Sequence, residues 1–513
     1  RVAPATRGPN GRPPSAGRIL MATQTELPRA RAPEAAVPVA ERDRFLNVAV
    51  VALPAMVALA LCLIELTTRS LWLDEAATVA IAGQHGSAFW HAAAHDGGNM
   101  LGYYALLHAL IGWFGDGTFV IRLPSAIAAA GTAGATSVLG LRLFDRRVAL
   151  AAGLLTAVSL PLVFWGQDAR GYAAMVALVA GSFVAFAAIV DEPRRRGPWI
   201  AYVVLTTLSV YASYVAIFAL PAQLLAIVWR RTAWRQVLGA MAACALCWIP
   251  LAVLALSRGS GQLFWIGRPN FKLERQVIGA LTSAGFEPNF RPSIVATPLA
   301  ILTLALLVFA AARIVRRREW GAVLALSWLV LPVGLMLIWS FVGQPIFTPR
   351  NLLVSLPAVA LLLAWVIMSS RISPVIAWGA VAVLIALRAV ALVPSYGTSP
   401  ENWRAATAYV AQAAQPGDCI AFYPLDGSMP FDYYAGRPVE PHVEQYQTPT
   451  VSSHCSRVWL VASHQGLPTG TAASRAHYAR YVAVRDALAR RYPRQSTRSF
   501  GYASVIWVSL FTR

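Results

Sequence analysis

Apolar residues fill this chain in runs of about 20 between residues 46 and 393, separated by short polar connections. A helix needs about 20 apolar residues to cross the hydrocarbon core of a bilayer, so the pattern predicts membrane spans. Eleven are expected, at 46–66, 119–141, 148–165, 171–190, 199–212, 214–229, 236–256, 293–313, 320–341, 351–369 and 374–393. The run NMLGYYALLHALIGWF at 99–114 has 16 residues, short for a span, and reads as an interfacial or re-entrant helix. Residues 1–45, rich in Pro, Ala and Arg and without periodicity, read as a disordered cytoplasmic tail. No cleavable signal peptide is expected, because the first apolar run is long enough to stay as a span.

Beyond residue 393 the pattern changes. A helix near SPENWRAATAYVAQAA, strands in DCIAFYP and RVWLVAS, a helix to about Arg490 and a last strand in YASVIWVSLF predict a small α/β domain over 394–513. The expected fold class is a polytopic α-helical membrane protein of about 11 transmembrane helices over 46–393, with this C-terminal α/β domain attached.

Composition supports a membrane protein, with 57% hydrophobic and 13% charged residues and a mean hydropathy of +0.55. The net charge of +20 points first to nucleic acid. Its arginines, however, cluster as RLFDRR at 141–147, RRR at 194–196, RRTAWR at 230–235 and RIVRRRE at 313–319, all in alternate connections. That is the positive-inside rule, and it explains the charge without a nucleic-acid partner. It orients a multi-pass plasma-membrane protein with the N-terminus inside and the C-terminal domain outside. Four polar segments then share the outer face: 67–118, GQDARGY at 166–172, 257–292 and GQPIFTPRN at 343–351.

The candidate chemistry lies in those segments. SLWLDEAATVA at 70–80 sets Asp74 and Glu75 beside the membrane. The simplest account is an acidic helix start with Asp74 as the cap; a charge reaching into the membrane, however, costs about 2.5 to 3.5 kcal/mol and usually has a task. Asp168 and Arg170 in GQDARGY read either as an internal ion pair in a polar turn or as substrate contacts. Arg350, an outer arginine against the positive-inside bias, suits an anion, since a guanidinium can donate two parallel hydrogen bonds to phosphate. Lys272, the sole lysine in the chain, lies in the 257–292 segment. Most aromatics at this level belong to an interface belt, while Tyr103, Tyr104 and Tyr172, near the acids, are candidates for sugar contact. His91 and His95 have metal-pair spacing without the glutamate of HExxH, so no metal site is assigned. Cys244 and Cys247 read as small buried residues despite their CxxC spacing, and Cys419 and Cys455 are placed for a disulfide if their domain faces an oxidising compartment.

The blocks LWLDEAATVA, GYYALLHALIGWFGDGTFVIRLPSAIA, PLVFWGQDARGYA and TPRNLLVSLPAVALLLA resemble, in order over about 45–395, those of bacterial family 39 glycosyltransferases. These are GT-C enzymes related to protein O-mannosyltransferases and to the lipid A aminoarabinose transferase. WRAATAYV and PGDCIAFYP are similar to the extracytoplasmic domain of actinobacterial mannosyltransferase-like members. The resemblance implies transfer of a sugar, mannose first among the candidates, from a polyprenyl-phosphate donor to an extracytoplasmic glycan, lipoglycan or protein. It implies Asp74 as general base, Glu75 as its supporting partner, Arg170 and Arg350 at the donor phosphate and Asp96 beside the donor. Asn351 stands where many relatives have tyrosine and Ser213 where they have histidine, which weakens any metal site by analogy. No cofactor is required on this reading. A transporter, a lipid flippase or an inactive lipid-binding relative are the rivals; the charges gather at one face, there is no convincing repeat, and both points argue against transport.

Overall fold

The computed structural model describes residues 39–230, 233–259, 263, 266–436 and 455–513, with side chains from residue 43; most of the expected 1–45 tail lies outside the described residues. All eleven expected runs are helical. Among the described residues, seven helices are long and apolar enough to cross a membrane: Asp43–Leu63, Thr118–Leu143, Tyr172–Asp191, Ala296–Arg317, Trp320–Val342, Asn351–Met368 and Pro374–Ser395. Two more spans form only if bent pairs count as one, Arg146–Ala157 with Leu160–Gly166 at 57° and Trp234–Cys247 with Ile249–Arg258 at 49°. In both pairs a proline, Pro161 or Pro250, opens the second helix, where its missing N–H breaks the hydrogen-bond ladder. By length and composition the count is therefore seven to nine, below the expected eleven. The shortfall is at 199–212 and 214–229, where extended Ser213 separates the 17-residue helix Arg196–Ala212 from a 3-10 turn and helix over Tyr214–Arg230. Seventeen residues rise about 25 Å, less than a hydrocarbon core of about 30 Å.

Asn351–Met368 is the hub: every residue from Leu356 to Ile367 is buried. It packs against Arg146–Ala157, Trp320–Val342 and Ala296–Arg317. Peripheral helices are inverted relative to a soluble protein, with Ile301, Val308, Phe309 and Val315 of Ala296–Arg317 exposed on the outside, as a lipid-facing surface requires.

The C-terminal region is a four-stranded sheet, β1 Asp418–Tyr423, β2 Arg457–Ala462, β3 Arg494–Phe500 and β4 Ile506–Thr512, in the order β1-β2-β4-β3. β1 and β2 are parallel and the other pairs antiparallel. Alternation along β2 sends Val458, Leu460 and Ala462 to one core with Val484 and Leu488 of helix Ala472–Arg491. Trp459 and Val461 go to the other, with Trp403, Ala406 and Val410 of helix Trp403–Ala413. Cys419 and Cys455 are joined by a disulfide. β3, RQSTRSF, was not expected from the sequence, because as an exposed edge strand it lacks a hydrophobic face.

Candidate active site

The stretch between the first span and helix Leu73–Ala82 belongs to no regular element, so its backbone polar groups need partners from elsewhere. From beneath, Arg122 donates to Leu66 O and Arg69 O at 2.9 Å each and to Ser70 O at 3.4 Å. From the C-terminal region, Ser399 Oγ accepts from Ser70 N at 2.8 Å, Tyr434 Oη from Leu71 N at 2.7 Å and Glu401 Oε2 from Leu73 N at 3.0 Å. Arg404 donates to Thr67 O at 2.9 Å and Thr68 O at 3.0 Å. The helix carrying the paired acids thus starts where these groups hold it. Its N-cap is Trp72, with no side-chain cap bond, so Asp74 is not the cap; both acids sit in the first turn, where the helix dipole favours negative charge.

Successive helix residues point about 100° apart, and the two carboxylates diverge accordingly. Glu75 turns inward to a bidentate pair with Arg122, Oε1 to Nε at 2.8 Å and Oε2 to Nη2 at 2.7 Å, both side chains fully buried. It also accepts from Ala169 N at 2.8 Å. Burial opposes its charge, but Arg122 outweighs burial and holds the carboxyl below its usual range. Asp168 lies alongside, accepting from Trp72 Nε1 at 2.9 Å. Burial, then the charge of Glu75, push its carboxyl well above the carboxylate range. Two expectations are corrected here. Glu75 is an anchor and not the partner of Asp74, and Asp168 is buried and neither contacts solvent nor pairs with Arg170.

Asp74 turns outward, its side chain 31% exposed, with Oδ2 3.2 Å from Arg350 Nη1 and 3.8 Å from Arg170 Nη2. Arg170 is held by Thr78 Oγ1 at 3.0 Å, Asp74 O at 3.3 Å and Tyr104 Oη at 3.4 Å. Arg350 stacks over Trp72 and Tyr172, 5.7 and 5.8 Å from the ring centroids. Tyr104 donates to Asp96 Oδ2 at 2.7 Å. Burial raises the Asp96 carboxyl, and the charge of Arg170 opposes that. Gly171 permits the close approach that seats Arg170, since a Cβ there would lie 2.5 Å from Ala212 O.

The structure therefore brings together Asp74, Asp96, Tyr104, Arg170, Tyr172 and Arg350. It leaves out two expected contacts. Tyr103 is buried against Ser125 Oγ at 2.8 Å and Ile121 O at 3.4 Å, a core residue because it sits one position round the helix from Tyr104. Lys272 is exposed on helix Phe271–Leu281 and makes no hydrogen bond or ion pair among the described residues. Among those residues no three of His, Cys, Asp and Glu group to hold a metal. Sequence reasoning missed Arg122, Glu287, Glu401 and His464. Arg122 alone carried a signal, as a charge inside an apolar run. Glu287, buried in the field of Arg350, is pushed up to about 7 by its burial, which Arg350 partly offsets.

The fold is shared with solved structures of ArnT and of an archaeal oligosaccharyltransferase. ArnT from Cupriavidus metallidurans, in a crystal structure with undecaprenyl phosphate, is similar over 90% of this chain and 98% of that one, with a TM-score of 0.54 and 14% identity. The Archaeoglobus fulgidus oligosaccharyltransferase, in complex with Zn and sulfate, matches over 89% of this chain and 72% of its own at a TM-score of 0.52 and 14% identity. AglB from the same organism, with an inhibitory peptide and a dolichol-phosphate, gives 0.52 at 12% identity. At these identities the shared property is the architecture. No family model matches the sequence, and no curated protein does.

Proposed function

We propose that this protein is an inverting glycosyltransferase that moves a sugar from a polyprenyl-phosphate donor to an acceptor on the extracytoplasmic side of the membrane. The observation that carries the reading is the half-exposed Asp74 carboxylate between two arginines, on a helix held from below by a buried ion pair. The solved proteins of like fold with undecaprenyl phosphate or dolichol-phosphate support a lipid-phosphate donor.

The chemistry follows from charge. A phosphate leaving group departs as a stable anion and needs no acid, so one carboxylate base is sufficient. Asp74 takes the proton of the acceptor hydroxyl as its oxygen attacks the anomeric carbon, the bond to the phosphate oxygen breaks on the opposite face, and configuration inverts. Arg170 and Arg350 stabilise the charge gathering on the departing phosphate. Both arginines face Asp74 in the structure, so the donor phosphate competes with that carboxylate for their hydrogen bonds. Donor binding then frees Asp74 to act as a base. On this reading the N-terminus is cytoplasmic and the C-terminal sheet domain extracytoplasmic; mannose is the first sugar to test, and no metal takes part.

Protein reconstituted in liposomes with radiolabelled polyprenyl-phosphate mannose tests it. The expected result is sugar released from the lipid in an Asp74-dependent manner, to acceptor or to water. Movement of intact donor between leaflets would instead establish a flippase, and binding without turnover an inactive relative.

A further inference from the structure

The sheet domain has a near end and a far end relative to the membrane helices. β3 ends at Phe500, and the turn after it is docked: Tyr502 N and Ala503 N donate to Pro400 O at 3.0 and 3.2 Å, and Tyr502 Oη donates to Asn289 O. β2 ends at Ala462, two residues before His464, whose Nε2 lies 3.1 Å from Oε1 of Glu401, the residue that holds Leu73 N. Seven residues at about 3.3 Å each set the start of β3, Arg494, about 20 Å from that docked end. Tyr492 and Pro493 join the last turn of helix Ala472–Arg491 to Arg494, and Tyr492 Oη donates to Cys455 O at 2.8 Å beside the start of β2. Arg490 and Arg491 therefore lie at the same far end.

That end is strongly basic. Residues 472–500 hold seven arginines and one acid, Asp486, which pairs with Arg485 at 2.9 Å. Asp418, at the start of β1, is taken by Arg457 at 2.6 Å and is 4% exposed. Arg490, Arg491, Arg494 and Arg498 are exposed, and the side chains of Arg490 and Arg494 make no hydrogen bond or ion pair among the described residues. Arg494 and Arg498 share one face of β3, about 13 Å apart along the strand. Protection of an open edge accounts for charge on β3, but Arg490 and Arg491 are on a helix and guard no edge. The positive-inside rule counts residues within about 20 of a span, and this cluster lies far beyond Ser395.

We propose that the far end of the sheet domain is a docking surface for an anionic polysaccharide, held by Arg490, Arg491 and Arg494 with Arg498 further along the strand. A guanidinium donates two parallel hydrogen bonds to a carboxylate or phosphate. Cations spread over more than a Debye length of about 8 Å act on separate groups, which suits a chain of repeated charges and not one small anion. The same screening disfavours a lipid surface, since the patch lies about 20 Å beyond the docked end. Between the arginines β3 exposes Gln495, Ser496, Thr497 and Ser499, which exchange hydrogen bonds with hydroxyls, and no apolar residue of the kind a protein interface buries at its centre. Retention there would raise the effective concentration of a polymer acceptor at the membrane. The extracytoplasmic side rests on the transferase reading above; the surface itself does not depend on the transfer chemistry.

The test titrates the full chain, in phosphatidylcholine nanodiscs without donor, with polygalacturonate, a polysaccharide bearing one carboxylate per sugar. Binding is expected, weakening as salt rises, while neutral dextran should not bind. Arg490→Gln, Arg491→Gln and Arg494→Gln together should weaken polygalacturonate binding by about tenfold or more at an unchanged melting temperature. Arg194→Gln, Arg195→Gln and Arg196→Gln together remove equal charge elsewhere and should leave it within about twofold. Equal loss in both triple variants, or no loss in the first, overturns the surface. Polyglutamate of matched charge should bind more weakly; binding as tight as polygalacturonate assigns the surface to an acidic protein and overturns the polysaccharide. Tighter capture by phosphatidylglycerol vesicles assigns it to a membrane and overturns it equally. Because binding is read without turnover, this surface fails or stands separately from Asp74-dependent transfer in liposomes.

Discussion

Asp74 and Glu75 are adjacent and chemically alike, yet they belong to two different layers of the molecule. Below, Glu75 and Arg122 form a buried pair with short bidentate contacts, and Asp168 lies buried alongside. Above, Asp74, Arg170 and Arg350 meet at 3.2 to 3.8 Å with part of the carboxylate open. A fully buried bidentate pair cannot exchange partners without a large penalty, and so fixes geometry. A looser, half-open pair can give its hydrogen bonds to a ligand. The same residue types serve rigidity in one layer and chemistry in the other, and the difference is one step of 100° around a helix.

This contrast can be broken most sharply at Asp74. Asp74→Asn should lower kcat for sugar transfer by about 10³-fold, within the range of general-base catalysis, with donor affinity unchanged or tighter. Near-normal turnover would remove the base from the upper layer. In the lower layer, Arg122→Ala leaves Glu75 buried and unpaired and should cost about 3–5 kcal/mol of stability in detergent unfolding. The double change Glu75→Met with Arg122→Leu should recover much of that. If the single change and the double are equally harmful, the pair is not the anchor described.

Glu287 lies behind Arg350 and tests the edge of the upper layer. Its carboxyl is raised to about 7 by burial, so the unfolded chain loses the proton near pH 4.5 while the folded chain keeps it. Stability is complete below about pH 4.5 and falls as pH rises to about 7. Glu287→Gln should therefore melt with wild type at pH 4 and be more stable at pH 8, by up to about 3 kcal/mol. Equal melting at pH 8 would show the carboxylate solvated in the folded protein. The smallest effects are expected at the positions left outside both layers: Lys272→Ala and Tyr103→Phe should each change kcat/KM by less than about twofold.

The spans were legible because burial in lipid or in the bundle centre needs the same apolar runs, and the apolar run RVWLVAS marked β2 as a strand. β3 was hidden by its polar edge position. At the site, Asp74, Arg170 and Arg350 were legible as charges at the ends of apolar runs, where position alone restricts their uses. Glu75 and Asp168 were misplaced because a linear sequence gives no sign of which neighbour on a first turn faces inward. Arg122 sat in an expected span and was passed over. Glu401 and His464 belong to a polar region with no periodic pattern to mark them, and their meaning comes only from long-range contact.

The grip on residues 67–73 has a consequence for biogenesis. Leu73 waits for a partner 328 residues later, and Leu71 for one 363 residues later. A nascent chain already inserted in the bilayer would carry Asp74 on an unfastened loop until the segment from Ser399 to Tyr434 has been synthesised and docked. Products that end before that segment would leave the start of the Asp74 helix without these fastenings.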